Sequence, residues 1–293
     1  MSRFILIGHP VGHSLSPSIH RAAYAWMGQA HEYQLVDAPD RAAVEAQVDR
    51  LRRGVVAGAN VTVPHKRLAL ALADRVDVSA ERVGAANTLV TNSEGEVVAY
   101  NTDALGLADV LGELVREVEG GVQKAVVLGN GGAALGAVVA CQHLGVGDIV
   151  VTARAFGEDV PRASWPHHEQ FSLLGARPLA WVASSAATRD EVAGAQLVLQ
   201  ATSAGMKGAE GGRALADALP WSEFAGDTVV YDLIYNPPET PVLGAARARG
   251  LVAEGGLSML VAQAQLAIRI WLGVLPPRAA LLTAARQALE GLG

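Results

Sequence analysis

Two short polar motifs within the first 103 residues carry groups that could transfer a proton. Residues 58–66, Gly-Ala-Asn-Val-Thr-Val-Pro-His-Lys, put amide, hydroxyl and ammonium groups on a tight turn between a strand and a helix. Asn101-Thr102-Asp103 supplies a carboxylate that could reach Lys66. A lysine at a helix start faces the positive end of the helix dipole, so this unfavourable position indicates a functional residue. The alternative for Lys66 is an ordinary exposed lysine. The alternative for Asp103 is an acidic residue in the first turn of a helix whose N-cap is Thr102.

A glycine-rich turn follows the strand-like run at 124–128. Residues 129–136 read Gly-Asn-Gly-Gly-Ala-Ala-Leu-Gly and lead into a helical pattern. In this context the glycines permit a tight turn and close approach to a nucleotide pyrophosphate. A tight turn without a ligand is the alternative. A lysine and aspartate pair in a chain with a dinucleotide turn predicts hydride transfer.

The end of the next strand bears on which dinucleotide binds. NAD sites place an acidic residue there for the ribose 2′-hydroxyl, whereas this chain has Thr152-Ala153-Arg154. Arg154 suits the 2′-phosphate of NADP, so we predict NADP as the cofactor. A solvated surface arginine is the alternative, because no second basic residue follows closely and Glu158 does.

Two serines lie just ahead of the first predicted helix. Ser14 and Ser16 could bind a substrate carboxylate there, because unpaired backbone N–H groups and the helix dipole favour an anion. The alternative for Ser16 is to be the N-cap of that helix, with Pro17 at the first helical position.

Other polar residues lie at the ends of apolar strands or on a late helix, where ligands bind in α/β proteins. They are Asn60, Thr62, Asn87, Asn101, Tyr235 and Gln263. Turn asparagines and ordinary packing are the alternatives. We predict no metal site, because the clustered histidines lack metal-ligand spacing and Cys141 is the only cysteine. Cys141 is predicted to lie buried on a helix.

The elements that position these residues predict an α/β fold with two domains. Strand-like runs at 4–7, 33–36 and 58–63 alternate with helical patterns at 17–27, 42–52 and 66–73, and a hairpin follows at 88–91 and 96–99. After a helix at 104–118 and the Gly120-Gly121 boundary, strands are predicted at 125–128, 148–152, 196–200, 228–232 and 251–253. No element is assigned within 155–179.

We assign residues 1–104 plus 257–293 to a βαβ substrate-binding domain, to which the last two helices return. Residues 105–256 form a Rossmann-type NADP-binding domain, and a cleft separates the two domains.

Composition excludes several classes of partner. The formal net charge of −6 gives no broad basic field for nucleic acid or an anionic membrane. The apolar stretch 256–276 carries Gln263, Gln265 and Arg269, so we predict a core helix rather than a membrane span. The first residues lack the pattern of a signal peptide, which predicts a cytoplasmic location. The sequence leaves open whether the chain forms a homodimer.

Taken in order, the motifs resemble the shikimate dehydrogenase family over nearly the whole chain. The motifs that carry the resemblance are His13-Ser-Leu-Ser-Pro17, residues 58–66, Gly84-Ala-Ala-Asn-Thr88, Tyr100-Asn-Thr-Asp103, Gly129-Asn-Gly-Gly-Ala133, Ala201-Thr-Ser203, Tyr231-Asp-Leu-Ile-Tyr-Asn-Pro237 and Gly256-Leu-x-Met-Leu260. The resemblance implies reversible NADPH-linked reduction of 3-dehydroshikimate to shikimate, a step towards the aromatic amino acids, with Lys66 and Asp103 as the catalytic pair.

The resemblance also implies the ligand contacts. Ser14 and Ser16 hold the substrate carboxylate, and its ring and hydroxyls are contacted by Asn60, Thr62, Asn87, Tyr235 and Gln263. The cofactor contacts that it implies are Gly129, Asn130, Gly131, Gly132, Ala133, Thr152, Arg154, Thr202, Ser203, Leu233 and Gly256.

Two departures from the family pattern bear on the cofactor. Many relatives carry Asn-Arg-Thr where this chain has Ala153-Arg154-Ala155, which predicts a weaker preference for NADP. The family's Asn-Ala-Thr-Ser run begins here with Gln200, which could alter the lining at the nicotinamide.

Two other functions are weighed against this one. A quinate/shikimate dehydrogenase with broader cofactor use is disfavoured by Ala153-Arg154, because such relatives tend to carry an acidic residue there. A non-catalytic regulator that binds NADP or shikimate is disfavoured by the intact Lys66 and Asp103.

Overall fold

The computed structural model describes residues 1–157, 159–181 and 185–291. The chain divides into two compact units, one of Met1–Gly106 with Leu260–Gly293 and the other of Leu107–Met259. Each unit is built around a six-stranded sheet. The predicted α/β fold class is confirmed.

The sheet of the first unit is mixed. Its strands are β1 (Arg3–Gly8), β2 (Glu32–Asp37), β3 (Gly58–Val61), β4 (Arg75–Val76), β5 (Thr88–Thr91) and β6 (Val97–Tyr100). Their order across the sheet is β2-β1-β3-β5-β6-β4. Strand β1 pairs in parallel with β2 and β3, whereas β5 runs antiparallel to both β3 and β6. The β5–β6 hairpin therefore confirms the predicted one, and β3 ends two residues earlier than predicted.

The first unit's helices, with the helix that follows β6, are α1 (Ser16–Trp26), α2 (Arg41–Arg52), α3 (Lys66–Leu72), α4 (Val78–Val83), α5 (Thr102–Leu114) and, near the end of the chain, α11 (Leu257–Leu272) and α12 (Arg278–Glu290). Isoleucines of β1 pack against the apolar face of α2, where Val44, Val48 and Leu51 are fully buried. The 3.6-residue spacing of these side chains is what makes 41–52 a helix on the sheet. Helix α5 stops at Leu114, and a 3₁₀ turn at Val115–Glu117 completes the predicted 104–118 segment.

The second unit has an entirely parallel sheet. Its strands are β7 (Lys124–Leu128), β8 (Asp148–Ala153), β9 (Arg177–Ala180), β10 (Leu197–Gln200), β11 (Val229–Asp232) and β12 (Val252–Gly255), in the order β12-β11-β10-β7-β8-β9. In order along the unit this is the 3-2-1-4-5-6 arrangement of the Rossmann fold. Its central strands are buried on both faces, so they appear in the sequence as continuous apolar runs rather than alternating ones.

The helices of this unit are α6 (Gly132–His143), α7 (His168–Leu173), α8 (Ala186–Ala193), α9 (Gly212–Ala218) and α10 (Pro241–Ala248). Cys141 is buried on α6, as predicted. Strand β9 and helix α7 lie in the stretch left unassigned. Pro178 argued against a strand there, but among the described strands β9 pairs only with β8, and proline is tolerated at such an edge.

Neither Ser16 nor Thr102, the two residues considered as N-caps, takes that position. Leu15, not Ser16, is the N-cap of α1, and Ser16 is its first residue. The Ser14 hydroxyl accepts the Ser16 N–H at 3.2 Å, and no side chain of the described residues caps α1. At α5 the oxygen comes from Asn101, whose Oδ1 accepts the N–H groups of Asp103 and Ala104, each at 3.1 Å. Thr102 instead turns its hydroxyl towards Asn87.

Helix α11 is a core helix, as predicted: Val261, Ala264 and Ile268 on it are fully buried. Across residues 1–157, 159–181 and 185–291, no helix combines the length and apolar character needed to cross a membrane.

Candidate functional site

Lys66 and Asp103 form an ion pair in the first unit. The Nζ of Lys66 donates to Oδ2 of Asp103 at 2.7 Å. Their side chains keep about 33% and 21% of their exposure, so the pair is open to a ligand while it is partly shielded from water. An ammonium group with one carboxylate partner retains further N–H donors. The pair can therefore hold and deliver a proton at an oxygen placed beside it.

A short segment between α4 and β5 fixes both members of this pair. Lys66 is the first residue of α3, and its carbonyl accepts the N–H of Ala86 at 2.9 Å. The neighbouring carbonyl of Ala85 accepts from the Asn101 amide at 2.9 Å, and Asn101 caps the helix that carries Asp103. Adjacent residues thus tie the starts of two helices together, which holds the two side chains within hydrogen-bond distance.

A buried polar network lies behind the pair. The Asn87 Oδ1 accepts from the N–H of Thr102 at 2.7 Å and from the hydroxyls of Thr88 and Thr102 at 3.1 Å, and its Nδ2 donates to Thr102 Oγ1 at 3.0 Å. Asn60 continues the network, because its amide donates to the Asn87 carbonyl and to Thr88 Oγ1. Both N–H groups of Asn60 are thereby used within the chain, whereas Asn87 keeps one.

Tyr33 and His20 extend this network into the core. The hydroxyl of Tyr33 donates to Oδ1 of Asn60 at 2.8 Å, which sets the orientation of that amide. The His20 ring stacks on Tyr33 with centroids 3.9 Å apart, and its buried Nε2 has no hydrogen-bond partner in the described part of the chain. Burial lowers the pKa of His20 to about 3, so the ring is neutral. The sequence analysis missed these residues, since neither carries a motif.

Ser14 and Ser16 lie together, as the sequence predicts. Their hydroxyls are 3.2 Å apart, and Ser14 donates to Ser16. Ser16 is buried, while Ser14 is half-buried. The Ser14 oxygen also accepts the Ser16 N–H. Part of the polar capacity of these serines is therefore used locally, and the rest can meet a ligand.

The remaining predicted substrate residues lie in different places. Thr62 follows β3, and its N–H donates to the Ile7 carbonyl. Gln263 lies on α11, is 7% exposed, and donates one N–H to the Leu260 carbonyl, which leaves its other N–H and its carbonyl. Tyr235 belongs to the second unit, where burial raises the pKa of its phenol, so it stays a neutral donor.

The glycine turn of the second unit has the geometry of a phosphate site. Gly129 has φ of 131°, and a Cβ on it would lie 2.9 Å from the Ala201 carbonyl oxygen, so this position requires glycine. A Cβ on Gly131 or Gly132 would meet no protein atom within 4 Å, so packing within the chain does not explain these two glycines. No side chain among the described residues caps α6, which leaves its first N–H groups for an anion.

The turn opens on a cavity of about 140 Å³. Predicted cofactor residues that line it are Gly129, Thr152, Arg154, Thr202 and Ser203. Thr152 Oγ1 is buried and makes no hydrogen bond to the described residues, so a ligand would satisfy it. An adenine dinucleotide therefore fits the residues present. Glu158, which weighed against Arg154, lies outside the described residues.

Sequence reasoning missed two further residues that line this cavity, Trp181 and Glu210. Trp181 follows the unassigned strand β9, and Glu210 lies in a glycine-rich loop, so neither has a pattern that marks it.

Leu233 and Gly256 meet at the ends of β11 and β12. A Cβ on Gly256 would lie 2.1 Å from the Leu233 carbonyl oxygen, and its N–H donates to Ile234. Gln200 supports the loop beside them: its Oε1 accepts the Thr202 N–H, its Nε2 donates to the Ala204 carbonyl, and its own carbonyl accepts from Leu233. Gln200 is fully buried, so it supports this loop and does not itself line a site for the nicotinamide.

Comparison with known proteins decides the family. A family model described as the shikimate dehydrogenase substrate binding domain matches residues 6–89, and another, the shikimate 5′-dehydrogenase C-terminal domain, matches residues 256–286. A protein of Moorella thermoacetica, named shikimate dehydrogenase (NADP(+)), is 38% identical over 97% of this chain and 92% of its own. The chain belongs to the shikimate dehydrogenase family.

Relatives from Thermus thermophilus support this membership in sequence and structure. A shikimate dehydrogenase (NADP(+)) from that organism is 35% identical over 99% of both chains. The crystal structure of a shikimate 5-dehydrogenase from the same organism, in complex with NADP(H) and shikimate, has a TM-score of 0.78 and 33% identity, covering 98% of this chain and all of that one.

Proposed function

We propose that the chain is an NADP-dependent shikimate dehydrogenase that reversibly reduces the ketone of 3-dehydroshikimate to the hydroxyl of shikimate. The observation that carries this proposal is the Lys66–Asp103 pair, 2.7 Å apart beside a buried amide and hydroxyl network, in a member of this family. The proposed substrate and cofactor are those named for the relatives above, and the side chains of this chain explain how each would bind.

Lys66 is the proposed proton donor. Bound NADPH supplies the hydride and NADP⁺ accepts it in the reverse reaction. Reduction of a ketone leaves negative charge on its oxygen, which the Lys66 ammonium stabilises and protonates. In the reverse direction the neutral amine takes the proton from the hydroxyl. Asp103 holds the ammonium in place through its hydrogen bond, and it can accept a second hydrogen bond from a neighbouring substrate hydroxyl.

The substrate contacts follow from the groups that remain available. Ser14 and Ser16 would bind the carboxylate, since each hydroxyl can be redirected. Asn87 and Gln263 each keep an N–H without a partner among the described residues, which would donate to hydroxyls on the substrate ring, and Thr62 supplies a hydroxyl. Tyr235, in the second unit, stays a contact predicted from the family resemblance. Both N–H groups of Asn60 are engaged, so we assign it to orienting Thr88 and Asn87 rather than to a substrate contact.

The first unit is accordingly the proposed substrate-binding domain and the second the NADP-binding domain. In the second unit, N–H groups at the start of α6, from Asn130 to Ala133, would bind the pyrophosphate, and Arg154 the 2′-phosphate. The Thr202–Ser203 loop and the Leu233–Gly256 contact would border the nicotinamide end. A cytoplasmic location stays a prediction from the sequence, which fractionation of cells would test.

The test is turnover of shikimate with NADP⁺ or NAD⁺, followed by nicotinamide absorbance. We expect NADP⁺-linked turnover in the wild type and a loss on the order of 10²–10⁴-fold in Lys66→Met, with an unchanged thermal unfolding midpoint. Arg67→Met, one residue along α3, is the matched control and should retain activity. A folded wild type that turns over shikimate with neither cofactor would refute the proposal.

A further inference from the structure

Two opposite charges line the cavity of the second unit. Among the described residues that line it, the charged ones are Arg154, at the end of β8, and Glu210, in the loop before α9. Neither forms an ion pair with a residue in the described part of the chain. Both are exposed. No described residue therefore cancels these charges, and both act on whatever the cavity holds.

The walls between these charges suit a flat apolar ring. Trp181 packs against the apolar core of the second unit, which holds the indole at the cavity. Ala214, Leu215 and Ala218 come from α9, and a spacing of three or four residues puts them on one face of that helix. An aromatic ring and a strip of aliphatic side chains favour a purine base, so the adenosine end of the cofactor fits this cavity.

We propose that Glu210 is a specificity-determining residue that opposes Arg154 and limits the preference for a 2′-phosphorylated adenosine. This inference rests on the proposed function, because it concerns the cofactor of that reaction. A 2′-phosphate carries nearly two negative charges at neutral pH, so a carboxylate in the same small cavity repels it. A ribose with a free 2′-hydroxyl is not repelled, and it can donate a hydrogen bond to a carboxylate.

The test measures binding of two cofactor fragments by calorimetry, adenosine 2′,5′-bisphosphate and adenosine 5′-monophosphate. Glu210→Gln should tighten binding of the bisphosphate by about three- to ten-fold and change that of the monophosphate by less than about two-fold, with the difference shrinking as salt is added. Arg154→Gln should weaken binding of the bisphosphate by at least about ten-fold. Asp217→Asn is the matched control: Asp217 lies on α9 and pairs with Arg213, but it does not line the cavity, and both constants should stay unchanged.

Each other outcome contradicts the inference in its own way. Equal changes for both fragments in Glu210→Gln would mean that the carboxylate contacts the base or the 5′-phosphate. No change for either would mean that it acts on neither, while NADP⁺-linked turnover of the wild type would still support the proposed function. A wild type that binds neither fragment would overturn the cofactor site itself. If Asp217→Asn tightened binding of the bisphosphate as much as Glu210→Gln does, the effect would come from the net charge of the protein alone.

Discussion

Gly106 on α5 lies directly against the backbone of Gln263 on α11. A Cβ on Gly106 would come within 2.7 Å of the Gln263 nitrogen and 3.1 Å of its Cα. Gly106 follows Asp103 by three residues, about one helical turn, so this close approach brings the proposed catalytic carboxylate and the proposed substrate amide to the same region. The absence of a side chain at one position thus sets the distance between two functional ones.

We therefore expect Gly106→Ala to displace α11 from α5. Because backbone atoms cannot move aside as a flexible side chain can, the free energy of unfolding should fall by about 1–3 kcal/mol. The Michaelis constant for shikimate should rise, while that for NADP⁺ stays near its wild-type value. Gly112→Ala in the same helix is the control, since its Cβ would meet only Leu144 Cδ2 at 3.5 Å. Equal stability of the two variants in urea would refute this account.

His20 makes stability depend on pH. Its folded-state pKa of about 3 is below the ordinary value of 6.5, so the folded protein excludes a proton that the unfolded chain binds. The stability that this neutral ring preserves is fully present above pH 6.5 and is lost as the pH falls from 6.5 towards 3. Within that window the wild type should lose about 1.4 kcal/mol per pH unit more than a variant without the imidazole.

Urea unfolding of wild type, His20→Phe and His20→Leu between pH 7.5 and 4.5 measures this difference. Two variants are used because the ring stacks closely on Tyr33 and a phenyl group adds volume. His13→Gln, at an exposed histidine, should follow the wild-type slope. Parallel slopes for wild type and both His20 variants would contradict the prediction. Asp232, whose pKa burial raises to about 6, contributes with the opposite sign and equally in all of these proteins.

The glycines of the cofactor turn should separate folding from ligand binding. Gly129→Ala puts a side chain at φ 131° and against the Ala201 carbonyl, and should cost about 1–3 kcal/mol of stability. A Cβ on Gly132, at the start of α6, meets no atom of the described residues, so Gly132→Ala should leave stability unchanged or slightly higher. It should weaken the binding of NADP⁺, because the proposed pyrophosphate site lies against this backbone. Gly136→Ala, further along α6, should affect neither. Thermal unfolding and NADP⁺ titration of the three variants test this contrast, which unchanged NADP⁺ affinity in Gly132→Ala would refute.

The sequence by itself was enough for the α/β fold class, the family and most element positions. Strands such as β7 and β11 appear as continuous apolar runs, and α2 as an apolar stripe. Burial determines which nearby positions are apolar, and this pattern can be seen within a short stretch of sequence. The turn at residues 129–133 is recognisable because its glycines form a short motif that directly follows a strand.

Tertiary structure alone decided which polar groups meet. Lys66 and Asp103 are 37 residues apart, and their 2.7 Å contact depends on how two helix starts are tied to one segment. The N-cap oxygen of α5 comes from Asn101 and not from Thr102, whose hydroxyl donates to Asn87, a residue 15 positions away in the chain. Trp181 and Glu210 come to one cavity with Arg154 from three segments. Hydrogen bonds and charges act over a few ångströms in space, so the order of residues along the chain does not reveal these neighbours.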